Sequence, residues 1–112
     1  MEFFEWQPRK LKKSCSSEKA MRKDFGVRLA KKIAARLHEL QMAEVLDEIS
    51  RVPPARCHEL SGDREGQLSV DLQHPYRLIF IPANDPIPRK EDGGLDWENV
   101  DEVEIIEIVD PH

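Results

Sequence analysis

A change of hydrophobic period divides this 112-residue chain. In the first half Leu29, Ile33, Leu37 and Leu40 recur three and four residues apart, with Ala30 and Ala34 on the same side, the stripe of an amphipathic helix. After Pro53 and Pro54 the period falls to two. Leu68, Val70 and Leu72 alternate with Ser69, Asp71 and Gln73, as in a half-buried strand. Helices followed by strands bury both kinds of stripe by laying the helices on one face of an antiparallel sheet. A single α+β domain spanning 1–112 is therefore expected.

Local signals fill in the order of elements. Residues 2–6 are rich in aromatics and suit a short strand. Pro8 suits the first turn of a short helix through Leu11, because its missing N–H is not needed there. Ser17 reads as the N-cap of a second helical segment with Glu18 at its start, and Gly26 as the break that ends it. Pro53 and Pro54 stop whatever continues through Leu46 and Ile49. Residues 56–60 read as a strand leading into a Ser61-Gly62-Asp63 turn. Residues 76–81 form a hairpin with the alternating strand, Leu78 and Phe80 facing away from Arg77, Ile79 and Ile81. A last strand, 103–109, is rich in β-branched residues. The Pro- and Gly-bearing stretch 82–99 is too long for a plain turn, and reads as a surface excursion or a functional flap.

Charge is distributed unevenly. Through Arg56 there are 13 Lys and Arg against 8 Asp and Glu; beyond it there are 4 against 14, so +5 and −10 give the net −5. Arg28, Lys32 and Arg36 recur at i, i+4 with Lys31 beside them, which fits either a basic binding face or a solvated helix. No apolar run approaches the roughly 20 residues of a membrane span, and MEFFEWQPRK lacks the apolar core of a secretory signal. Cys15 and Cys57 show no CxxC spacing, so reduced thiols in the cytoplasm are expected. His38, His58, His74 and His112 follow no metal-ligand spacing, and there is no phosphate-cradling Gly-rich loop or HExxH helix. No metal or cofactor is expected.

Three polar features remain. Arg77 sits in a strand among apolar neighbours, where it either pairs with a carboxylate such as Asp71 or Glu59 or binds a phosphate bidentately. His58 lies beside a Gly-containing turn. His112 is the final residue. Taken singly, these read as a paired arginine, a surface histidine and a tail.

Their order says more. The run His58-Glu-Leu-Ser-Gly-Asp-Arg-Glu-Gly-Gln-Leu-Ser-Val-Asp-Leu-Gln-His-Pro-Tyr-Arg77-Leu-Ile-Phe80, with the ending Val103-Glu-Ile-Ile-Glu-Ile-Val-Asp110-Pro111-His112, resembles HigB-type toxins of the RelE/ParE superfamily. Members of that group read His-x-Leu-Lys-Gly, then Gly-x-aromatic-Ser-Ile, then aromatic-Arg-aliphatic-x-Phe, and close in Asp-Tyr-His. The stretch 82–99 resembles a subgroup labelled killer suppression proteins. The resemblance implies the toxin of a type II toxin–antitoxin system, a metal-independent endoribonuclease that cuts mRNA in the ribosomal A site. Matched residue by residue, His58 and His112 would be the acid–base pair, Asp110 would orient or charge-stabilise His112 or contact the substrate, and Arg77 would hold the scissile phosphate. Arg64 would be a further phosphate contact, and Arg28, Lys31, Lys32 and Arg36 would face ribosomal RNA. The expected partners are the ribosome, mRNA and a HigA-like helix-turn-helix antitoxin, with operator DNA reached only through that antitoxin. Ser61 replaces the motif lysine, Leu68 the aromatic and Pro111 the tyrosine. These replacements raise a second expectation, a non-enzymatic toxin-like protein that binds a target or only its antitoxin.

Overall fold

The computed structural model describes residues 1–4 and 9–110. Among these, α1 (Arg9–Ser14), α2 (Glu18–Phe25) and α3 (Val27–Met42) form one layer. The strands β1 (Glu2–Phe3), β2 (His58–Glu59), β3 (Leu68–Asp71), β4 (Arg77–Pro82) and β5 (Glu102–Val109) form the other. Ser17 caps α2 as expected: its side chain accepts from the Ala20 N–H at 3.1 Å. Gly26 separates α2 from α3 with φ +81°, a conformation open to glycine at no steric cost. Its N–H closes α2 on the Arg22 carbonyl at 2.9 Å, and its own carbonyl accepts from Ala30 to start α3.

Leu29, Ala30, Ile33 and Leu40 turn the apolar stripe of α3 onto the sheet, where Val70, Leu78, Phe80, Val103 and Ile105 complete the core. Arg36 corrects the expected basic face. It is only 4% exposed, donating from Nε to the Asp71 carbonyl at 2.8 Å and from an Nη to Glu39 at 2.8 Å. Position 36 follows Ile33 by three residues and precedes Leu40 by four, so it belongs to the buried stripe, and only the two acceptors make that tolerable. Arg28, Lys31 and Lys32 do lie exposed.

The sheet order is β1-β5-β4-β3-β2, and the sheet is mixed rather than purely antiparallel. β1 runs parallel to β5, with Glu2 opposite Glu102 and Phe3 opposite Val103, while every other pairing is antiparallel. The three helices lie between β1 and the antiparallel strands, so the chain can place β1 alongside its last strand in the same direction. Two paired residues carry no periodic signal of that direction. Of the expected strand 2–6, Trp6 lies outside the described residues, and so does Pro8.

β3 is buried on both faces, since Ser69 is as inaccessible as Leu68 and Val70. The expected strand 56–60 shrinks to two residues, because Arg56 takes a left-handed φ of +47° and the Cys57 N–H bonds instead to the Ser50 carbonyl. The stretch 82–99 is a surface excursion, exposed or half-buried from Ala83 to Gly94 and anchored at its far end. An Arg89–Leu95 bridge closes it, Leu95 and Trp97 are buried, and Trp97 Nε1 donates to Glu59 at 3.0 Å. Arg51 stacks on the Trp97 ring at 3.9 Å from its centre. No described helix is long and apolar enough to cross a membrane.

Candidate functional site

Residues directly opposite in a ladder point to the same side of a sheet, and so do residues two apart in a strand. His58 pairs with Ser69, Ser69 with Ile79, and Ile79 with Glu107. One step along, Asp71 pairs with Arg77 and Arg77 with Val109. His58, Asp71, Arg77 and Glu107 therefore share the face turned away from the helices. Arg64, on the 3₁₀ turn Gly62–Arg64, reaches Glu107 at 3.1 Å across β3 and β4, and also donates to Gln67 at 2.9 Å. That crossing helps cover Ser69 and Ile79.

Asp71 organises the end of this face. It accepts two bonds from Arg56, at 2.7 Å from Nε and 3.2 Å from an Nη. Arg77 Nε stands 3.9 Å from Oδ1, the oxygen that accepts from the Arg56 Nη. The hydrogen bond and the charge of Asp71 both raise the Arg56 pKa, holding the guanidinium in its charged form. The Arg77 side chain donates no hydrogen bond within the described residues, so its guanidinium is open to a ligand beside its ion pair with Asp71. Asp71, foreseen as one of two carboxylates for Arg77, is near it but is committed to Arg56. Glu59, the other, takes Trp97 instead. A cleft of about 300 Å³ opens here, lined by Arg56, Asp71, His74, Tyr76 and Arg77.

The Arg56 backbone also orients His58. His58 Nδ1 lies 3.1 Å from the Arg56 carbonyl. A carbonyl only accepts, so Nδ1 donates in this contact and Nε2 is the ring nitrogen turned away from it. Nε2 has no partner among the described residues. His58 lines a different cleft, about 440 Å³, with Arg51, Lys90 and Trp97. Two strand spacings across and two residues along put His58 and Arg77 roughly 12 Å apart at their Cα atoms. They share a face but not a cleft.

Asp110 is exposed, one residue past β5, whose last residue Val109 lies opposite Arg77. His112 lies outside the described residues. Arg28, Lys31 and Lys32 stand on α3, beyond the sheet from Arg77. A groove of about 420 Å³ between the first helices and β5 is lined by Leu11, Phe25, Ile106 and Ile108, with Ser14 bonded to Asp24 at 2.6 Å; among the described residues no histidine or arginine lines it. Both cysteines are free thiols. Burial pushes Cys57 up to about 12, and burial with the Asp24 charge pushes Cys15 to about 11, so neither is a thiolate nucleophile near neutrality. No cluster of His, Cys, Asp or Glu among the described residues could hold a metal ion.

Sequence reading passed over Arg56 as a site residue. Its only signal was its place two residues before His58.

No protein-family model matches the chain, and no curated protein matches it. Among solved structures it is similar to a YoeB/ParE toxin from Agrobacterium tumefaciens, with a TM-score of 0.57, 12% identity and 100% of each chain covered. What the likeness shows is the fold: among the described residues, three α-helices laid on a five-stranded mixed sheet, an α+β architecture shared with that toxin.

Proposed function

We propose that the protein is the toxin of a type II toxin–antitoxin pair, of the HigB kind, and that it cuts mRNA in the ribosomal A site without a metal. The observation that carries this reading is the outer sheet face. It presents a histidine with a defined free nitrogen and an arginine with free donors, in a fold shared with a toxin. RNA cleavage of this kind needs a base for the 2′-OH, a cation for the phosphate and an acid for the 5′-oxygen, and the 2′-OH restricts it to RNA. His58 Nε2 and His112 supply the proton transfers, each worth about 10²–10⁴-fold. Arg77 neutralises the phosphate. Asp110 orients His112, which follows Val109 by three residues. Arg64 adds a phosphate contact by exchanging Glu107 for the substrate. Arg28, Lys31 and Lys32 meet ribosomal RNA, a role closed to the buried Arg36. A HigA-like helix-turn-helix antitoxin neutralises the toxin in the cytoplasm and carries it to operator DNA.

A second reading, a toxin-like protein that binds without cutting, is favoured by one specific observation. Asp71 and Glu107 place carboxylates against Arg56, Arg77 and Arg64 on the very face that RNA would approach, and cationic surface supplies much of nucleic-acid affinity.

Induced expression in a bacterial host separates the two. Wild type should stop growth and yield new mRNA 5′ ends, while Arg77→Ala and a form lacking His112 should lose both effects. Growth arrest with intact mRNA would overturn the nuclease reading in favour of the binder. Equal toxicity of the variants would remove the proposed site.

A further inference from the structure

Asp71 bonds one edge of the Arg56 guanidinium, through Nε and one Nη. The other Nη, and every guanidinium donor of Arg77, has no hydrogen-bond acceptor among the described residues. Both side chains are part-exposed, 41% and 33%, and both line the cleft at the hairpin end of the sheet. Two guanidinium groups against one carboxylate leave this cleft a formal +1 on a chain of net −5. Half-buried tyrosine and exposed histidine side chains, Tyr76 and His74, complete its wall.

The backbone holds this arrangement in place. Arg56 is the one residue other than glycine with a left-handed φ among the described residues, +47°. Such a conformation costs on the order of 1 kcal/mol in a residue bearing a Cβ and persists where the surroundings over-determine it. Here the Arg56 N–H donates to the Val52 carbonyl at 3.0 Å, and the Asp71 N–H to the neighbouring Ala55 carbonyl at 2.8 Å. The Arg56 carbonyl meets His58. The guanidinium is thus delivered from a fixed point. Planar guanidinium groups of this kind match the oxygens of a phosphodiester.

We propose that Arg56 and Arg77, braced by Asp71, form a two-arginine clasp for the phosphodiester of a single-stranded nucleic acid. This inference rests on the RNA-directed reading above and adds Arg56 to it as a binding residue. Asp71 is then an internal counter-ion: it holds the two arginines together in the free protein and weakens their grip on a second anion.

The test is NMR titration of the full chain, following arginine Nε–H signals, with inorganic phosphate and with a short single-stranded oligonucleotide carrying 2′-O-methyl groups. In wild type the Arg56 and Arg77 signals should shift saturably together, and the oligonucleotide should bind at least about tenfold tighter than phosphate. Arg56→Gly, which relieves the backbone and keeps the carbonyl that His58 needs, should weaken oligonucleotide binding about tenfold, the scale of one lost charge-assisted bond. Asp71→Asn should tighten it. Arg56→Asn, also tolerant of positive φ, should match Arg56→Gly and guards against a folding defect in that variant. Oligonucleotide affinity unchanged by both Arg56 variants would overturn the inference. So would a shift of Arg77 alone, or equal affinity for phosphate and oligonucleotide. Cleavage is read separately. Binding through Arg56 with intact cellular mRNA would keep the clasp and remove the nuclease; cleavage at full kcat/KM by Arg56→Gly would do the reverse.

Discussion

Asp71 closes on Arg56 through two hydrogen bonds, although the β3–β4 ladder places Arg77 directly opposite it. The partner chosen is fifteen residues away and held in left-handed backbone, while the cross-strand neighbour is left at 3.9 Å. This exchange leaves Arg56 hydrogen-bonded and the Arg77 guanidinium without a hydrogen bond among the described residues at that end of the outer face. Because Asp71 and Arg56 are both part-exposed, solvent screening limits what the pair contributes to stability. Asp71→Asn should lower unfolding free energy by about 1 kcal/mol in urea denaturation, with an unchanged m-value. A loss above about 3 kcal/mol would mean that the pair is a structural lock rather than a brace for Arg77.

Arg36 behaves differently from the other α3 cations. Its guanidinium is buried and carries the Asp71 carbonyl and Glu39. Arg36→Met should cost about 2–3 kcal/mol, the penalty of stranding a buried acceptor. Lys32→Gln, on the exposed side, should stay within about 0.5 kcal/mol. Thermal melts of the two variants side by side check this, and equal losses would place Arg36 back on the surface.

The Ser69 hydroxyl is fully buried and has no hydrogen-bond partner among the described residues. Removing an unsatisfied buried hydroxyl discards a desolvation penalty while leaving a small void. Ser69→Ala should therefore leave stability level or raise it by up to about 1 kcal/mol. A clear loss in chemical denaturation would show that the hydroxyl is bonded in solution.

Cys57 is held protonated by burial up to about pH 12. An unfolded thiol ionises near 9, so above that pH the unfolded chain binds fewer protons than the folded one, and stability falls as pH rises toward 12. The slope from this group is about 1.4 kcal/mol per pH unit within that window, and it vanishes below it. Unfolding curves from pH 8 to 10.5 should show the decline in wild type, with a shallower decline in Cys57→Ala, where the less shifted Cys15 remains. Identical slopes would contradict the assignment. At pH 7.5 native Cys57 should also resist alkylation that proceeds readily once the chain is unfolded.

Much of this protein could be read from its residues because the signals are local. The Ser17 cap depends on a side chain and an N–H three residues on. Gly26 depends on its own φ, and the α3 stripe and the β3–β4 hairpin depend on periods of a few residues. The α+β class follows from where those periods change. The motif running from His58 to Arg77 is also contiguous, so the type of fold could be anticipated from it.

What tertiary structure decided is every relationship between residues whose separation carries no period. Direction of β1 depends on which strand it meets after three helices. Arg36 follows the polar spacing of Arg28 and Lys32, but one face of α3 is wider than the apolar residues alone suggest, and the Asp71 carbonyl makes burial there affordable. The stretch 82–99 carries turn residues throughout, yet Leu95 and Trp97 find apolar surface and Trp97 finds Glu59. His58 and Arg77 were tied together by a motif in sequence; in the fold they share a sheet face and open into separate clefts. Arg56 joins those clefts, through its carbonyl to His58 and its guanidinium to Asp71. Local sequence determines which backbone states and faces are cheap. Which charged groups finally meet is decided by desolvation and hydrogen bonding across the assembled sheet, where an arginine two residues before a histidine bonds Asp71 with its side chain and meets that histidine with its carbonyl.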